Sequence, residues 1–493
     1  MTPLHIARLP ACMLGAVLSL AGCVSSSGLL PSGQATEPAS LKAGTTLAGV
    51  PLSPAAWPSQ RWWASLGDPQ LDSLIDEALR GTPDLDIASA RARQAIAAAQ
   101  AQDADRLPSV KGTASYAGIR APESLLPAPM GGRYSAVKYL SLGFNYDLDL
   151  WGGKRAAWEA ALGQANAAEV DRQAASITLS TNVARAYSNL AHAFVVRDLA
   201  RDELERSQHL YQLSQKRMDA GLDSKVQLQQ TQTQVASAKQ QLAAAEQEIA
   251  SDRIALAVLL GQGPDRGQNL QRPQVLNPGA LALPSNLPAE LLGRRPDIVA
   301  ARWRVEASTK DIQSARTEFY PNLNLGAMVG LAAMHTEDVL KAPSRFFQIA
   351  PAISLPIFDG GRLRANLAGK DADYDLAVAQ YNKTLVGALG EVADDLGRLR
   401  SLEQQIGDQR EARNIAKSNF DLAMRRYGEG VGNYLDALSV QQQLLLAERQ
   451  LANLDAQRID LSVQLVQALG GGYQPDTSST PAPLAQANAA AAH

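Results

Sequence analysis

The sequence predicts an α+β membrane protein: three copies close a 12-stranded β-barrel, four strands per chain, continued by a long α-helical coiled-coil tunnel. Three observations lead there. The chain is written twice, with landmarks 208 or 209 residues apart: Gly152-Gly153 recurs as Gly360-Gly361, Arg217-x-x-x-Gly221 as Arg426-x-x-x-Gly430, and Leu260-Gly261 as Leu469-Gly470. Each copy contains paired runs of about ten residues that alternate apolar and polar. Each copy also holds a helical pattern of about 67 residues, a rod of roughly 100 Å that no ordinary globular domain accommodates.

The chain opens with an export signal over residues 1–22. His5 and Arg8 precede an apolar run from Leu9 to Ala21, too short to cross a bilayer comfortably. It ends in Leu20-Ala21-Gly22-Cys23, which resembles the bacterial lipobox, so Cys23 is the predicted lipidation site and becomes the first residue of the mature chain. Several acyl chains on one residue give stable anchoring. Val24 in place of an aspartate favours sorting to the outer membrane in known lipoproteins. Residues 23–67, rich in Ser, Gly, Pro and Ala to about residue 56, read as a flexible lipid-anchored tether. No later segment has 18 consecutive apolar residues.

The first repeat spans 68–262 and the second 290–471, with a Pro- and Gly-rich linker at 263–289 and a disordered tail at 472–493. Both follow one order. A helix of about 23 residues comes first (84–106, 297–319), opened by Pro83-Asp84 or Pro296-Asp297 and ended by Pro108 or Pro321. Two strands follow, at about 109–120 and 138–150 in the first copy and 321–333 and 346–357 in the second. Then come the long helices, 153–219 and 361–428, a turn carrying Gly221 or Gly430, and a helix of about 39 residues (223–261, 431–469). Leu140, Leu142, Phe144, Tyr146 and Leu148 share one strand face, while Ser141, Gly143, Asn145 and Asp147 share the other. A soluble half-buried sheet alternates in the same way. The lipobox tips the balance towards a barrel with lipid outside and water inside.

Heptad spacing runs through Val183, Tyr187, Leu190 and Phe194, through Leu385, Leu389, Val392, Leu396 and Leu399, and through Leu228, Val235, Leu242, Ile249 and Leu256. Such spacing packs helices side by side as supercoils. Four strands cannot close a barrel, and an open edge in lipid leaves backbone groups unpaired. Two chains give eight strands and a filled interior, whereas three give twelve and an open lumen, with cyclic symmetry the simplest closure. The closed object is a conduit through the outer membrane into the periplasm.

Composition excludes other classes. A charge of −3 and pI near 6.0 give no basic surplus for nucleic acid. Two cysteines, Cys12 and Cys23, both N-terminal, exclude a disulfide framework and Cys-based metal sites. The five histidines form no H-E-x-x-H pair, and Gly261, Gly263 and Gly267 lack the Lys and Ser/Thr of a phosphate loop, so they read as a helix stop. Met328, Met334 and His335 read as loop and barrel filler. No cofactor, no metal and no catalytic group are expected.

The chain resembles the outer-membrane factors of tripartite efflux pumps and type I secretion systems, the TolC/NodT-type family, in its lipoprotein branch. The residues that carry this are Trp62-Trp63, Gly67-Asp68-Pro69, Leu71, Leu74, Ala78, Arg295-Pro296-Asp297, Pro321, Phe358-Asp359-Gly360-Gly361 and the Gly221 and Gly430 turns, within a likeness running from Trp57 to Gly472. The resemblance implies a homotrimer with an equatorial belt. It implies a passive exit duct for drugs and other small molecules, docked on a periplasmic adaptor that links it to an inner-membrane pump. A type I protein secretion duct, or a lipoprotein whose rods only bridge envelope layers, are the alternatives. By matching position, Gly221, Leu222, Gly430 and Val431 become adaptor-contact tips, although a glycine there also serves as a plain helix cap. Asp436 becomes a periplasmic gate residue, three copies forming an acidic ring. A first-turn acid favoured by the helix dipole is the alternative for Asp436. Its counterpart in the first repeat is Gln227, and Ser439 stands where some members carry a second carboxylate. Tyr427 matches a position used to latch neighbouring helices.

Overall fold

A computed structural model describes residues 25–41, 57–125, 132–274, 276 and 293–474. The export signal, Cys23, residues 42–56 of the tether, most of the linker and residues 475–493 of the tail lie outside the described residues.

The elements follow in repeated order. Helix α1 (Pro69–Arg80) precedes the first repeat's α2 (Pro83–Ala104), β1 (Ser109–Arg120), β2 (Tyr134–Leu148), α3 (Gly153–Asp219) and α4 (Lys225–Leu259). The second repeat has α5 (Pro296–Thr317), β3 (Asn322–Ala333), β4 (Arg345–Ser354), α6 (Arg362–Gly428) and α7 (Tyr434–Ala468). Helices α3 and α6 are each 67 residues long, and α4 and α7 are each 35. The last two are shorter than the sequence pattern because their caps lie outside them. Ser224 and Asn433 cap the N-termini, and Gly261 and Gly470 turn the chain at positive φ (69° and 95°) after the C-termini. Strand β2 begins four residues before the predicted 138, and β4 ends three before the predicted 357.

The four strands form one antiparallel sheet in the order β1-β2-β3-β4, so the two repeats meet at β2 and β3. The register lines up Val110, Phe144, Ala327 and Ile349 across one face, and Lys111, Gly143, Met328 and Gln348 across the next row of the other. One face is therefore nearly all apolar and the other rich in Ser, Thr, Asn and Gly. Among the described residues, neither end strand, β1 or β4, has a partner on its outer edge.

The rods pack around cores that the heptads mark. Val183, Tyr187 and Leu190 on α3, and Leu385, Val392 and Leu399 on α6, are fully buried. On α4 the seam shifts: Ile249 and Leu256 are buried, but nearer the tip the buried row is Thr231, Ala238 and Ala245 rather than Leu228, Val235 and Leu242. Small residues let α4 lie close against α3, and the larger side chains flank the contact. Helix α5 lies against α3 as well as α6, binding the two repeats together.

The flexible-tether reading does not hold for residues 25–41. That stretch runs as a strap along α6, where Asp375 accepts hydrogen bonds from the Ser32 amide (2.9 Å), the Ser32 hydroxyl (2.7 Å) and the Gly33 amide (2.6 Å). Asn382 accepts from the Thr36 amide (2.7 Å) and donates to the Gln34 carbonyl (2.8 Å). Leu29, Ala35 and Leu41 pack on the core of the second repeat. Composition alone misses this because the partners of the strap's backbone groups lie some 340 residues away.

Candidate functional site

Both helix-turn-helix tips are built as the sequence suggests. Gly221 (φ 69°) and Gly430 (φ 82°) end α3 and α6, and the amides of Leu222 and Val431 return to the carbonyls of Arg217 (2.8 Å) and Arg426 (3.0 Å). Leu222 and Val431 are left about two-thirds exposed (65% and 67%), with Val226 and Leu435 exposed beside them. Capping chemistry thus explains the glycines, and leaves the apolar neighbours uncovered.

Between the tips lies a buried latch. Tyr427, fully buried at the end of α6, donates its hydroxyl proton to Asp223 (2.5 Å). Asp223 also pairs with Arg217 (3.1 Å), whose guanidinium donates to the Tyr427 carbonyl (2.9 Å) and lies 4.4 Å over the Tyr427 ring. Arg217 and Asp223 belong to the first repeat and Tyr427 to the second. Burial, then the hydrogen bond to Asp223, push the Tyr427 phenol up to about 12, so it remains a donor throughout the physiological range. Sequence reasoning assigned Tyr427 alone. Arg217 was visible only as a repeat landmark, and Asp223 only as the first residue of the helix that follows the turn. The latch is asymmetric because the position 209 residues after Asp223 is Gly432, where a Cβ would come within 2.9 Å of the Tyr427 amide nitrogen.

Asp436 stands apart from the latch. Its amide donates to the Asn433 side chain (2.8 Å), which caps α7. In the first repeat the same position, Gln227, completes a capping box with Ser224. The exposed Asp436 carboxylate makes no ion pair among the described residues and faces away from its own chain's core.

Above the tips, α7 is tied to α3 by buried polar groups. Gln441 donates to Glu203 (2.7 Å) and Ser207 (3.1 Å), and Arg206 pairs with Glu203 (3.2 Å) and Glu448 (3.0 Å). Nearer the equator Asp395 is buried beside Asp394, Glu391 and Asp460. Burial first, then these like charges, push its carboxyl from the ordinary 3.8 up to about 6, with Arg398 opposing. The folded chain then holds this proton more tightly than the unfolded one, so stability falls as pH rises from about 4 to 6 and stays lowered above it. Asp395→Asn is expected to remove that dependence and to stabilise the protein at pH 7.5 by on the order of 1 kcal/mol, allowing for solvent screening. Thermal unfolding at pH 5 and pH 7.5 reads both effects, and a variant no more stable at pH 7.5 would sink the assignment.

Burial lowers the His192 imidazole below its usual range, beside Asn453, as befits a packing residue. Met328 accepts from the Tyr139 hydroxyl (2.6 Å) within the sheet. Among the described residues no group of three His, Cys, Asp or Glu is placed to hold a metal ion, and no helix is long and apolar enough to cross a membrane.

The family described as "Outer membrane efflux protein" matches residues 74–262 and 287–471. The multidrug resistance outer membrane protein MdtP of Escherichia coli is 32% identical over 480 residues, covering 95% of this chain and 98% of that one. The fusaric acid resistance protein FusA of Burkholderia cepacia is 37% identical over 365 residues, covering 73% and 68%. Among solved structures, the outer membrane protein VceC of Vibrio cholerae is 35% identical with a TM-score of 0.80, covering 85% of this chain and all of that one.

Proposed function

Since the chain belongs to the outer membrane efflux protein family, we propose that three copies form the exit duct of a tripartite pump that expels drugs and other small molecules. The chain is an outer-membrane channel component of an efflux system. What carries the trimeric duct is the sheet: four strands with one apolar face and both edges open, tied to rods of roughly 100 Å. Three such sheets make a closed barrel of twelve strands, and the rods continue the bore into the periplasm. The trimer conducts passively, with no catalytic step of its own. Purified protein should migrate as a heat-sensitive trimer on gels and conduct ions in planar bilayers. Extraction as a soluble, non-conducting monomer would end this reading.

The tips are the docking points. Gly221, Leu222, Gly430 and Val431 offer a periplasmic adaptor a compact turn with an exposed apolar side chain, and the adaptor joins the duct to an inner-membrane pump. Cys23 carries the lipid. The strap supports this, because Arg364, ten residues after β4 ends, holds the carbonyls of Ser25 and Ser27. Ser25, the first described residue, is thereby held at the barrel's periplasmic rim, the level at which acyl chains enter the inner leaflet.

Arg217, Asp223 and Tyr427 latch the periplasmic end shut, and three Asp436 carboxylates line the closed pore as a ring that favours cations. Asp436→Ala is expected to raise single-channel conductance and to reduce cation preference by about half or more. Unchanged reversal potentials in a salt gradient would remove Asp436 from the mechanism.

A further inference from the structure

The sheet's polar face carries a charge with no acid in reach among the described residues. Lys111 sits in the third row from the periplasmic end of β1, in register with Gly143, Met328 and Gln348. Lys111, Gly143, Asn145, Met328 and Gln348 line one cavity of about 310 Å³ on this face, so the lysine shares the concave side with the polar residues of the bore. The only carboxylate on the four strands is Asp147. It lies four residues from Gly143 along β2, roughly 13 Å from the Lys111 row and beyond a lysine's reach. Asp147 is already satisfied by Lys154 (3.2 Å) and by Asn324. Strands β1 and β4, which meet between neighbouring chains in a closed barrel, carry no acid at all. Lys111 makes no ion pair among the described residues. The strands' other cations, Arg120, Lys138 and Arg345, fall on the opposite, apolar face near its outer end.

We propose that Lys111 forms a positive collar inside the barrel, three copies at one level near its periplasmic end, which draws anionic solutes through that part of the bore and disfavours cations. This rests on the trimeric barrel described above. Its sign is opposite to that of the Asp436 ring, so two levels of the duct select differently: the closed periplasmic tip by carboxylates, the inner end of the barrel by ammonium groups. The collar works through water. At physiological salt the screening length is about 8 Å, comparable with the distance from a lysine head to the solute stream, and at 1 M it is about 3 Å. A collar in this bore therefore biases passage at ordinary salt and disappears in strong salt.

The test reads the local potential and needs no gate to open. Thr113→Cys places a thiol two residues along the same strand face, about 7 Å from Lys111. The wild-type chain has only Cys12 and Cys23, both at the N-terminus, so peptide mapping identifies the introduced thiol without ambiguity. A sulfonate-bearing and a trimethylammonium-bearing methanethiosulfonate are added outside intact cells, and the ratio of their reaction rates is taken. Adding Lys111→Gln should lower the anionic-to-cationic ratio about twofold at 0.15 M salt and about fivefold at 0.01 M, with no change at 1 M. Lys111→Arg should preserve the ratio. An unchanged ratio in Lys111→Gln, a ratio indifferent to salt, or a thiol that neither reagent reaches would each overturn the collar. Migration of the same protein on an unheated gel reports the trimer independently, so loss of the trimeric reading is distinguished from loss of the collar.

Discussion

Asp223→Ala should raise the single-channel conductance of the trimer several-fold and make cells permeable to antibiotics too large for the closed channel. Asp223 is the only anion within the latch, with its side chain 2% exposed, and it holds both Arg217 and the Tyr427 hydroxyl. Removing it leaves the Arg217 guanidinium buried, with the Tyr427 carbonyl and ring as its remaining partners. Breaking a buried ion pair from one side costs about 3–5 kcal/mol. The tip can escape that cost by parting the two repeats and letting water reach Arg217, which is the opening motion proposed above. Tyr427→Phe keeps the ion pair and loses one hydrogen bond, about 1–2 kcal/mol, so its conductance should rise less. The double change Asp223→Ala with Arg217→Ala removes the stranded charge. It should restore thermal stability towards the wild type and yet conduct more than it, because no charged contact then ties the first repeat to Tyr427. If Asp223→Ala lowers stability but leaves conductance at the wild-type value, the latch is structural and the channel is closed elsewhere.

The architecture was legible because it is periodic. Heptads, alternation and a 209-residue echo are properties of one stretch of sequence at a time, and the long helices, the strands and the tip glycines follow from them. The latch was half legible. Tyr427 stood at a recognisable position, but Asp223 lies 204 residues earlier and looks like an ordinary turn residue until the fold brings the two together. The echo also hid its importance, since the matching position in the second repeat is Gly432. The strap was misread for a related reason. Ser, Gly and Pro imply flexibility when no partner is in view, and Asp375 and Asn382 are too distant in sequence to be considered. Lys111 could have been singled out from alternation. Its place on the polar face of β1 follows from period two, but that strand alternates less cleanly than the others, and the absence of a neighbouring acid needs the register.

Asp68→Ala should abolish most of the assembled channel in the membrane. Asp68, 3% exposed, accepts hydrogen bonds from the Tyr187 hydroxyl (2.6 Å), the Gln274 amide (2.8 Å) and the Gln70 amide (2.9 Å). It thereby joins the start of α1, the middle of α3 and the segment leaving the first repeat. Tyr187 is fully buried, and burial together with Asp68 holds its phenol well above the usual range, so it must donate. Alanine removes the cap of α1, about 1 kcal/mol, and leaves the buried Tyr187 hydroxyl and the part-buried Gln274 backbone amide unsatisfied at about 1–3 kcal/mol each. The sum, on the order of 4 kcal/mol, is a large part of the stability of a typical domain. Asp68→Asn keeps an oxygen for the cap and one other donor while losing the charge, and should cost roughly a third as much. Tyr187→Phe deletes the donor with its need, so adding it to Asp68→Ala should cost less than the two changes separately. A double-mutant cycle on thermal unfolding, run beside trimer yield in the membrane, measures that coupling. If Asp68→Ala falls below Asp68→Asn by no more than the roughly 1 kcal/mol of the cap, the carboxylate is only a helix cap and the equatorial junction is held by the apolar packing of Trp62, Trp63, Leu71 and Leu74 alone.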